Sequence, residues 1–141
     1  MLDIKIQYEQ IHSDQLRKNL PSLAHCGGYC CFEGIIRNHN HGKEVSFLSY
    51  EAYEELALSE LKRIAANALE TFDLSFARAH HRIGRLEIGD VAVIIQVQAK
   101  HRDEAFRGCR YIIDELKKTV PIWKKEHYQD GQHSWTRCNH A

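Results

Sequence analysis

Apolar and polar residues alternate with a period of two in several short segments of the chain. Near the N-terminus, Ile4, Ile6 and Tyr8 fall on one side of an extended chain, and the residues between them are polar. Such alternation is typical of a half-buried strand. The run 91–99 is β-branched and almost continuously apolar, which predicts a central strand buried on both faces. Three further strands are predicted in "GGYCCFEGIIR", "VSFLSYEAY" and "LSFARAHHRIG".

Two segments between these strands have the composition of turns. The Asn and Gly residues of "NHNHGKE" accept positive φ angles, and this segment separates two predicted strands. We therefore expect residues 28–52 to form a hairpin with a long tip. Gly89 and Asp90 predict a tight turn before the central strand.

Apolar residues recur at the spacing of an amphipathic helix in two longer segments. The first predicted helix runs from Tyr53 to Phe72. The second begins after Asp103, its expected N-cap, and Pro121 forbids its continuation. The predicted inner faces are Leu61, Ile64, Ala65, Ala68, Leu69 and Phe72 in the first helix, and Ala105, Phe106, Cys109, Ile112, Ile113 and Leu116 in the second.

The order of elements predicts a single α+β domain over residues 1–141. A short third helix is expected in "SDQLRKNLP", with Ser13 as N-cap and Pro21 as its stop. The two main amphipathic helices would pack on a mostly antiparallel sheet. Residues 128–141 are predicted to form a polar C-terminal tail in which Trp135 is the large apolar anchor.

The composition is that of an ordinary globular protein without overall charge. Of 141 residues, 43% are apolar and 27% charged, and Lys plus Arg equals Asp plus Glu at 19 each. Nothing therefore steers the chain as a whole toward nucleic acid or a membrane, and anion binding must come from local clusters of basic groups. No apolar run approaches the roughly 20 residues needed to span a bilayer. The five cysteines lack disulfide spacing, so we expect free thiols and a cytoplasmic location.

Four lysines flank a Pro-Ile-Trp step in "ELKKTVPIWKKEHY". On a helix Lys117 continues the buried stripe, whereas Lys118 points about 100° away, toward water. A turn after Pro121 would bring Lys124 back near Lys117. Two partly desolvated amines held close together favour a neutral amine, which can act as a base or nucleophile. The alternative is a solvated helix end with cations favoured by the helix dipole.

Two other basic spots suggest a site for an anion. Arg37 ends a predicted strand, and His101 and Arg102 lie between the central strand and a helix N-terminus, where free amide groups converge. Arg offers a bidentate fork for phosphate. With the lysines, these residues predict a pocket for a phosphorylated small molecule. The alternative is that Arg102 pairs with Asp103 or Glu104.

Metal and cysteine chemistry have weaker support. His39 and His41 stand two apart and His80 and His81 are adjacent, but no HExxH motif or pair of CxxC motifs occurs. Cys109 falls on the apolar helix face and is predicted to be core. We therefore expect no metal and no cofactor.

Several longer segments together resemble the large, catalytic subunit family of molybdopterin synthase. They are "FEGIIRNHNHGKEVSFLSYEAY", "HRIGRLEIGD", "KHRDEAFRGCRYIIDELKKTVPIWKKE" and a late tryptophan. The resemblance runs in order from about Gly28 to Trp135. It implies an α/β hammerhead fold and a homodimer. It also implies that each protomer binds a small ubiquitin-like sulfur-carrier subunit, giving a heterotetramer.

The resemblance also implies a reaction and its residues. The carrier's C-terminal thiocarboxylate would deliver sulfur to cyclic pyranopterin monophosphate, and two transfers would produce the dithiolene of molybdopterin. Lys117 and Lys124 match the two key lysines of the family. The implied substrate contacts are Phe32, Ile35, Ile36, Arg37, His101, Arg102, Lys125 and Glu126, with Arg137 as a candidate reaching a neighbouring protomer.

Two rival functions remain open from the sequence. One is a non-catalytic module that binds a ubiquitin-like partner or a phosphorylated ligand. The other is a zinc-dependent hydrolase that uses some of the ten histidines.

Overall fold

Helices and strands follow one another along the chain in the order that the pattern predicts, with additional short strands. A computed structural model describes residues 1–40 and 42–137, with residue 137 described for its backbone alone. Its elements are β1 (Leu2–Gln7), α1 (Ser13–Lys18), β2 (Gly28–Ile35), β3 (His39–Asn40), β4 (Lys43–Ala52), α2 (Glu54–Thr71), β5 (Leu74–Arg82), β6 (Gly84–Glu87), β7 (Val91–Ala99), α3 (Arg102–Thr119), β8 (Ile122–Tyr128) and β9 (His133–Arg137).

The first sheet has the strand order β1-β5-β7-β2. Strand β1 pairs with β5 in parallel, and the other neighbours are antiparallel. The apolar run of β7 therefore lies inside the sheet, as predicted. One face packs against α2 and α3, whose buried stripes include Leu61, Ile64, Ile112 and Leu116.

The opposite face of the first sheet carries a buried polar network. Arg78 donates from Nε to Asp3 Oδ2 at 2.7 Å and from Nη1 to Gln96 Oε1 at 2.6 Å and to the Leu16 carbonyl at 2.8 Å. His80 Nε2 lies 3.0 Å from Asp3 Oδ1. The hydrogen bonds of Arg78 tie α1 and β1 to the centre of the sheet.

The second sheet has the order β3-β4-β8-β9, with β6 also paired to β4, and its pairings are antiparallel. The α+β class with mostly antiparallel sheets is confirmed. A single cluster of buried apolar side chains joins residues of both sheets, including Leu48 and Tyr50 of β4 and Val93 of β7.

The predicted hairpin over residues 28–52 is wrong. Strand β2 pairs with β7, and β4 pairs with β6 and β8 in the other sheet. Backbone bonds explain the difference: Ile36 N donates to the Asp90 carbonyl at 2.9 Å, and Gly89 N donates to the Ile36 carbonyl at 2.8 Å. The end of β2 is thereby held at the β6–β7 turn, and the chain crosses to the second sheet.

The prediction of a polar tail from residue 128 is also wrong over part of its length. Residues 133–137 form β9, which pairs with β8 across a turn containing Gly131 at φ 84°. Main-chain pairing at a sheet edge needs no apolar stripe, so the hydropathy pattern did not reveal this strand. Residues 138–141 lie outside the described part of the chain.

Three details of the helices differ from expectation. Helix α3 begins at Arg102 with His101 at the N-cap, and Asp103 lies in its first turn. Ser13 begins α1 after His12, and its hydroxyl donates to Glu33 instead of capping the helix. Phe106 is 64% exposed because the buried stripe runs through Ala105, Gly108 and Cys109. The end of α3 before Pro121 and the burial of Cys109 are confirmed.

Among the described residues, none of the helices combines the length and the hydrophobicity that a membrane span requires. Within the same residues, no group of three or more His, Cys, Asp or Glu side chains is arranged to hold a metal ion. The four described cysteines are free thiols.

Candidate active site

A cavity of about 190 Å³ lies where the two sheets meet the C-terminal end of α3. Four parts of the chain form its walls: the end of β2, the inner faces of β4 and β8, the centre of the first sheet, and the last turns of α3. The lining residues are Gly34, Ile35, Ile36, Arg37, Asn40, Leu48, Tyr50, His81, Ala92, Val93, Ile113, Leu116, Lys117, Lys124 and Glu126.

Lys117 and Lys124 line this cavity from different elements. Lys117 is half-buried in the last turn of α3, on the stripe that includes Ile113. Its neighbour Lys118 is exposed and lies 3.2 Å from Glu115. The expected division between an inward and an outward lysine is confirmed.

Strand pairing, more than the proline step, brings Lys124 to the cavity. Helix α3 ends before Pro121, as predicted, but residues 122–128 form β8 instead of an extended turn. Lys124 pairs with Tyr50 of β4 across the second sheet. Trp123 lies on the other face of β8, where its ring meets Tyr53 edge to face.

Glu126 is a buried carboxylate beside these cations. It is 3% exposed and shares the inner face of β8 with Lys124, because residues two apart on a strand point the same way. Asn40 Nδ2 lies 2.6 Å from Glu126 Oε1 and 2.8 Å from Oε2. Arg37 Nη2 donates to Asn40 Oδ1 at 3.3 Å. The amide therefore links the exposed guanidinium at the mouth to the buried carboxylate.

The end of β2 bends where it meets the cavity. The register with β7 shifts between Gly34 and Ile35, and such a bulge re-aims the side chains that follow it. A Cβ on Gly34 would lie 2.7 Å from Val93 Cγ1, so this close approach requires glycine. The bend carries Ile35, Ile36 and Arg37 to the cavity wall.

His81 forms part of the inner wall. Its Nδ1 lies 2.6 Å from the Arg82 carbonyl oxygen, and its ring contacts Tyr50 edge to face with centroids 5.1 Å apart. Burial, together with the nearby positive charge of Lys117, lowers the pKa of His81 to about 4. The imidazole is therefore neutral at ordinary pH.

Several predicted site residues lie away from this cavity. His101 and Arg102 line a separate surface depression with Asp103 and Phe106, at the opposite end of α3. His101 Nδ1 lies 3.3 Å from Glu104 Oε2. The expectation of a single pocket that unites these residues with the lysines is thus wrong within one chain, because the helix separates its two ends by roughly 22 Å.

Three further residues also fall outside the lining. Phe32 lies on β2 and is partly exposed. Lys125 points to the outer face of β8, with Nζ 5.4 Å from the centre of the Trp135 ring. The side chain of Arg137 lies outside the described part of the chain, although its backbone pairs with Trp123.

Sequence reasoning missed Asn40 and His81. The sequence pattern places Asn40 in a predicted turn. It presents His81 only as a possible metal ligand beside His80. Successive side chains on a strand point to opposite faces, so the prediction of a strand here already implies that His80 and His81 lie on opposite faces of the sheet. The pairing of Asn40 with Glu126 has no local signal, because the two residues are 86 positions apart.

The described lining residues bring three basic side chains and one carboxylate to a half-enclosed space. Such a surplus of positive charge suits an anionic ligand. Ammonium groups in a partly desolvated site can also transfer protons and stabilise developing negative charge.

Comparison with known proteins identifies the relatives of this chain. Residues 6–119 match the model of the family described as MoaE protein. The match includes Lys117, and Lys124 and Glu126 lie just beyond it. The molybdopterin synthase catalytic subunit of Pyrococcus abyssi is 45% identical over 113 residues, which are 80% of this chain and 76% of that protein.

Solved structures agree with the fold. The crystal structure of molybdopterin synthase from Staphylococcus aureus has a TM-score of 0.85 and 35% identity, covering 93% of this chain and 94% of that one. A chain in a complex of subunits 1 and 2 of molybdopterin-converting factor from Helicobacter pylori has a TM-score of 0.73 and 21% identity, covering 96% and 90%. The second likeness concerns the fold alone.

Proposed function

The chain belongs to the MoaE protein family, and we propose that it is the catalytic subunit of a molybdopterin synthase, a sulfur-transferring enzyme. Its substrate is cyclic pyranopterin monophosphate, and its sulfur donor is the C-terminal thiocarboxylate of a small ubiquitin-like subunit. The observation that carries the proposal is the convergence of Lys117 and Lys124, from a helix end and a strand, on one cavity with Arg37 at its mouth.

The charges of the cavity suit the sulfur donor. A thiocarboxylate is an anion at the end of a chain, and the cavity offers ammonium groups between apolar walls formed by Ile36, Leu48 and Leu116. We assign Lys117 to the thiocarboxylate and the reacting carbon. Lys124, on the same strand face as Glu126, serves as a general acid or base. The sulfur arrives on the partner, so the enzyme needs no catalytic cysteine of its own.

The phosphate of the substrate requires further cations. Arg37 supplies one, and we propose that His101 and Arg102 of a second copy of the chain supply the others in a homodimer. Two observations support this arrangement. The cavity of about 190 Å³ is smaller than the roughly 300–1,000 Å³ of small-molecule pockets. His101 and Arg102 are also far from the lysines of their own chain but exposed.

The assembly that follows is a heterotetramer of two catalytic and two carrier subunits. The Helicobacter pylori complex of subunits 1 and 2 has a chain of this fold in a two-component assembly. We place the reaction in the cytoplasm, where free thiols such as the four described cysteines persist.

Reconstitution tests the proposed reaction. The purified protein is mixed with thiocarboxylated carrier and cyclic pyranopterin monophosphate, and dithiolene formation is assayed. Dithiolene formation at a protein concentration below that of the substrate supports an enzymatic function. Binding of carrier or pterin without product would support the non-catalytic module instead.

Complementation tests the shared site. Lys117→Ala and Arg102→Ala chains are each expected to be inactive as homodimers. A mixed dimer carries one site with both residues intact, so mixing the unfolded chains and refolding them together should restore activity. If mixing restores nothing, His101 and Arg102 do not serve the lysine site of a second copy.

A further inference from the structure

His80 and His81 are adjacent on β5 but lie on opposite faces of the first sheet. His80 faces Asp3 in the polar network beneath α1. His81 faces the cavity, where it shares the wall with Lys117 and Lys124. It is 2% exposed, and buried polar groups of this kind keep their place only when their hydrogen-bonding atoms are used.

The contacts of His81 fix which nitrogen carries its proton. A carbonyl oxygen can only accept, so the 2.6 Å contact between Nδ1 and the Arg82 carbonyl requires a proton on Nδ1. Nε2 of the neutral ring is then an acceptor. The edge-to-face contact with Tyr50 limits rotation of the ring.

The surroundings keep the ring neutral. Arg37, Lys117 and Lys124 bring positive charge to the cavity, and Glu126 brings negative charge that Asn40 already binds. Burial and the charge of Lys117 both lower the pKa of His81, to about 4. A further cation at this position would be costly, whereas a neutral acceptor facing an ammonium group is favourable.

We propose that His81 is a positioning residue that presents Nε2 as a neutral hydrogen-bond acceptor to Lys117 and so orients its ammonium group in the cavity. The catalytic meaning of this role rests on the proposed function, but the contact between the two side chains does not. His81 itself neither gives nor takes a proton during the reaction. It fixes the direction in which the Lys117 nitrogen points.

Two substitutions test the roles of the two ring nitrogens separately. In His81→Asn the amide nitrogen stands near the position of Nδ1 and can still donate to the Arg82 carbonyl, but the acceptor is lost. In His81→Gln the amide oxygen reaches toward the position of Nε2, but the donor is lost. A purely structural role predicts that Asn is the better replacement, and the positioning role predicts Gln.

The first readout is the rate of dithiolene formation. His81→Asn is expected to lower kcat by about 10- to 100-fold, the worth of one hydrogen bond to a charged group, with little change in KM. His81→Gln is expected to stay within about threefold of the unsubstituted protein. Equal losses in both variants, or a smaller loss in His81→Asn, would overturn the proposed role.

The second readout does not depend on activity. The rate at which an amine-reactive reagent labels Lys117 is measured by mass spectrometry, with exposed Lys118 as the internal reference. His81→Asn should change the Lys117 rate severalfold relative to Lys118, and His81→Gln should not. An unchanged ratio in both variants refutes the contact. If the ratio changes in His81→Asn but the unsubstituted protein makes no dithiolene, the proposed function is refuted and the contact stands.

A third measurement keeps the proposal testable if a variant fails to fold. Nitrogen-15 NMR of the unsubstituted protein reports the protonation of each ring nitrogen. A neutral His81 with its proton on Nδ1 at pH 7 is expected. A proton on Nε2 would overturn the proposal.

Discussion

Charged side chains lie on both sides of the first sheet, but their charges are balanced differently on the two sides. Beneath α1, Arg78 is bound by Asp3, Gln96 and a backbone carbonyl, so its charge is matched by partners of the same chain. On the cavity side, basic groups outnumber the carboxylate among the described lining residues. Adjacent histidines on β5 belong one to each face.

This difference in charge balance distinguishes residues that stabilise the fold from residues that form the site. A buried polar cluster whose charges are paired holds elements together, and removing one member leaves another unpaired. A cluster with surplus charge beside a cavity has electrostatic energy left for a ligand. We therefore expect substitutions on the first face to change stability and substitutions on the second to change activity.

The largest expected effect is on catalysis. Lys117→Ala and Lys124→Ala should each lower the rate of dithiolene formation by about 10²- to 10⁴-fold, the usual contribution of a proton-transfer group. Their thermal unfolding midpoints should change little. Lys118→Ala is the matched control, since Lys118 is exposed and its ion pair with Glu115 is worth little. Normal turnover in Lys117→Ala would contradict its placement in the reaction.

The opposite face should respond through stability. Arg78→Ala is expected to lower the free energy of unfolding by about 3–5 kcal/mol, because Asp3 loses its buried partner. Urea unfolding measures this. Arg110→Ala, which removes an exposed pair with Asp114, should cost less than about 1 kcal/mol. Similar losses in the two variants would remove the distinction between the faces.

The pH dependence of stability tests His81. Its folded pKa of about 4 lies below the unfolded value of about 6.5, so between these values the unfolded chain binds the extra proton. The contribution of His81 is therefore fully present above pH 6.5 and is lost as the pH falls toward 4, by about 3 kcal/mol in total.

Burial also lowers the pKa of His80, so both histidines contribute to the same pH range. Urea unfolding at several pH values, with His81→Asn beside the unsubstituted protein, separates them. The variant should show a shallower decline below pH 6.5. Parallel curves for the two proteins would mean that His81 is not held in the neutral form.

Asn40 lines the cavity, but its substitution is expected to change stability, by an intermediate amount. Asn40→Ala removes the amide that binds buried Glu126 and should lower the free energy of unfolding by about 2 kcal/mol. Asn40→Asp should cost more, because it places a second carboxylate against the first. Chemical denaturation of both variants checks the order. An Asp variant more stable than the Ala variant would show that Glu126 does not depend on this donor.

The smallest effect is expected at Lys125. Its ammonium group lies over Trp135 on the outer face of β8, and Lys125→Ala should cost less than about 1 kcal/mol in stability. Dithiolene formation should remain close to normal in the reconstituted assay. A loss comparable to that of Lys124→Ala would mean that the outer face of β8 also meets the substrate.

Much of the local structure could be predicted from the chain alone. The helical stripes of α2 and α3, the central position of β7, the helix end before Pro121 and the inward direction of Lys117 all follow from spacing within a few residues. Periodicity reports which face of an element is buried, because apolar side chains leave water wherever the element packs.

The sequence by itself therefore determined the kinds of elements, the family and the identity of the lysines. The tertiary structure decided which strands pair, that Asn40 holds Glu126, that His81 and Lys117 line one cavity, and that His101 and Arg102 lie at the far end of α3. The physical reason is the sequence separation of the residues that determine each feature. An element's face depends on neighbours three or four positions away. Strand partners and cavity walls depend on the packing free energy of distant residues, such as Asn40 and Glu126, which are 86 positions apart, and no local pattern encodes such pairs.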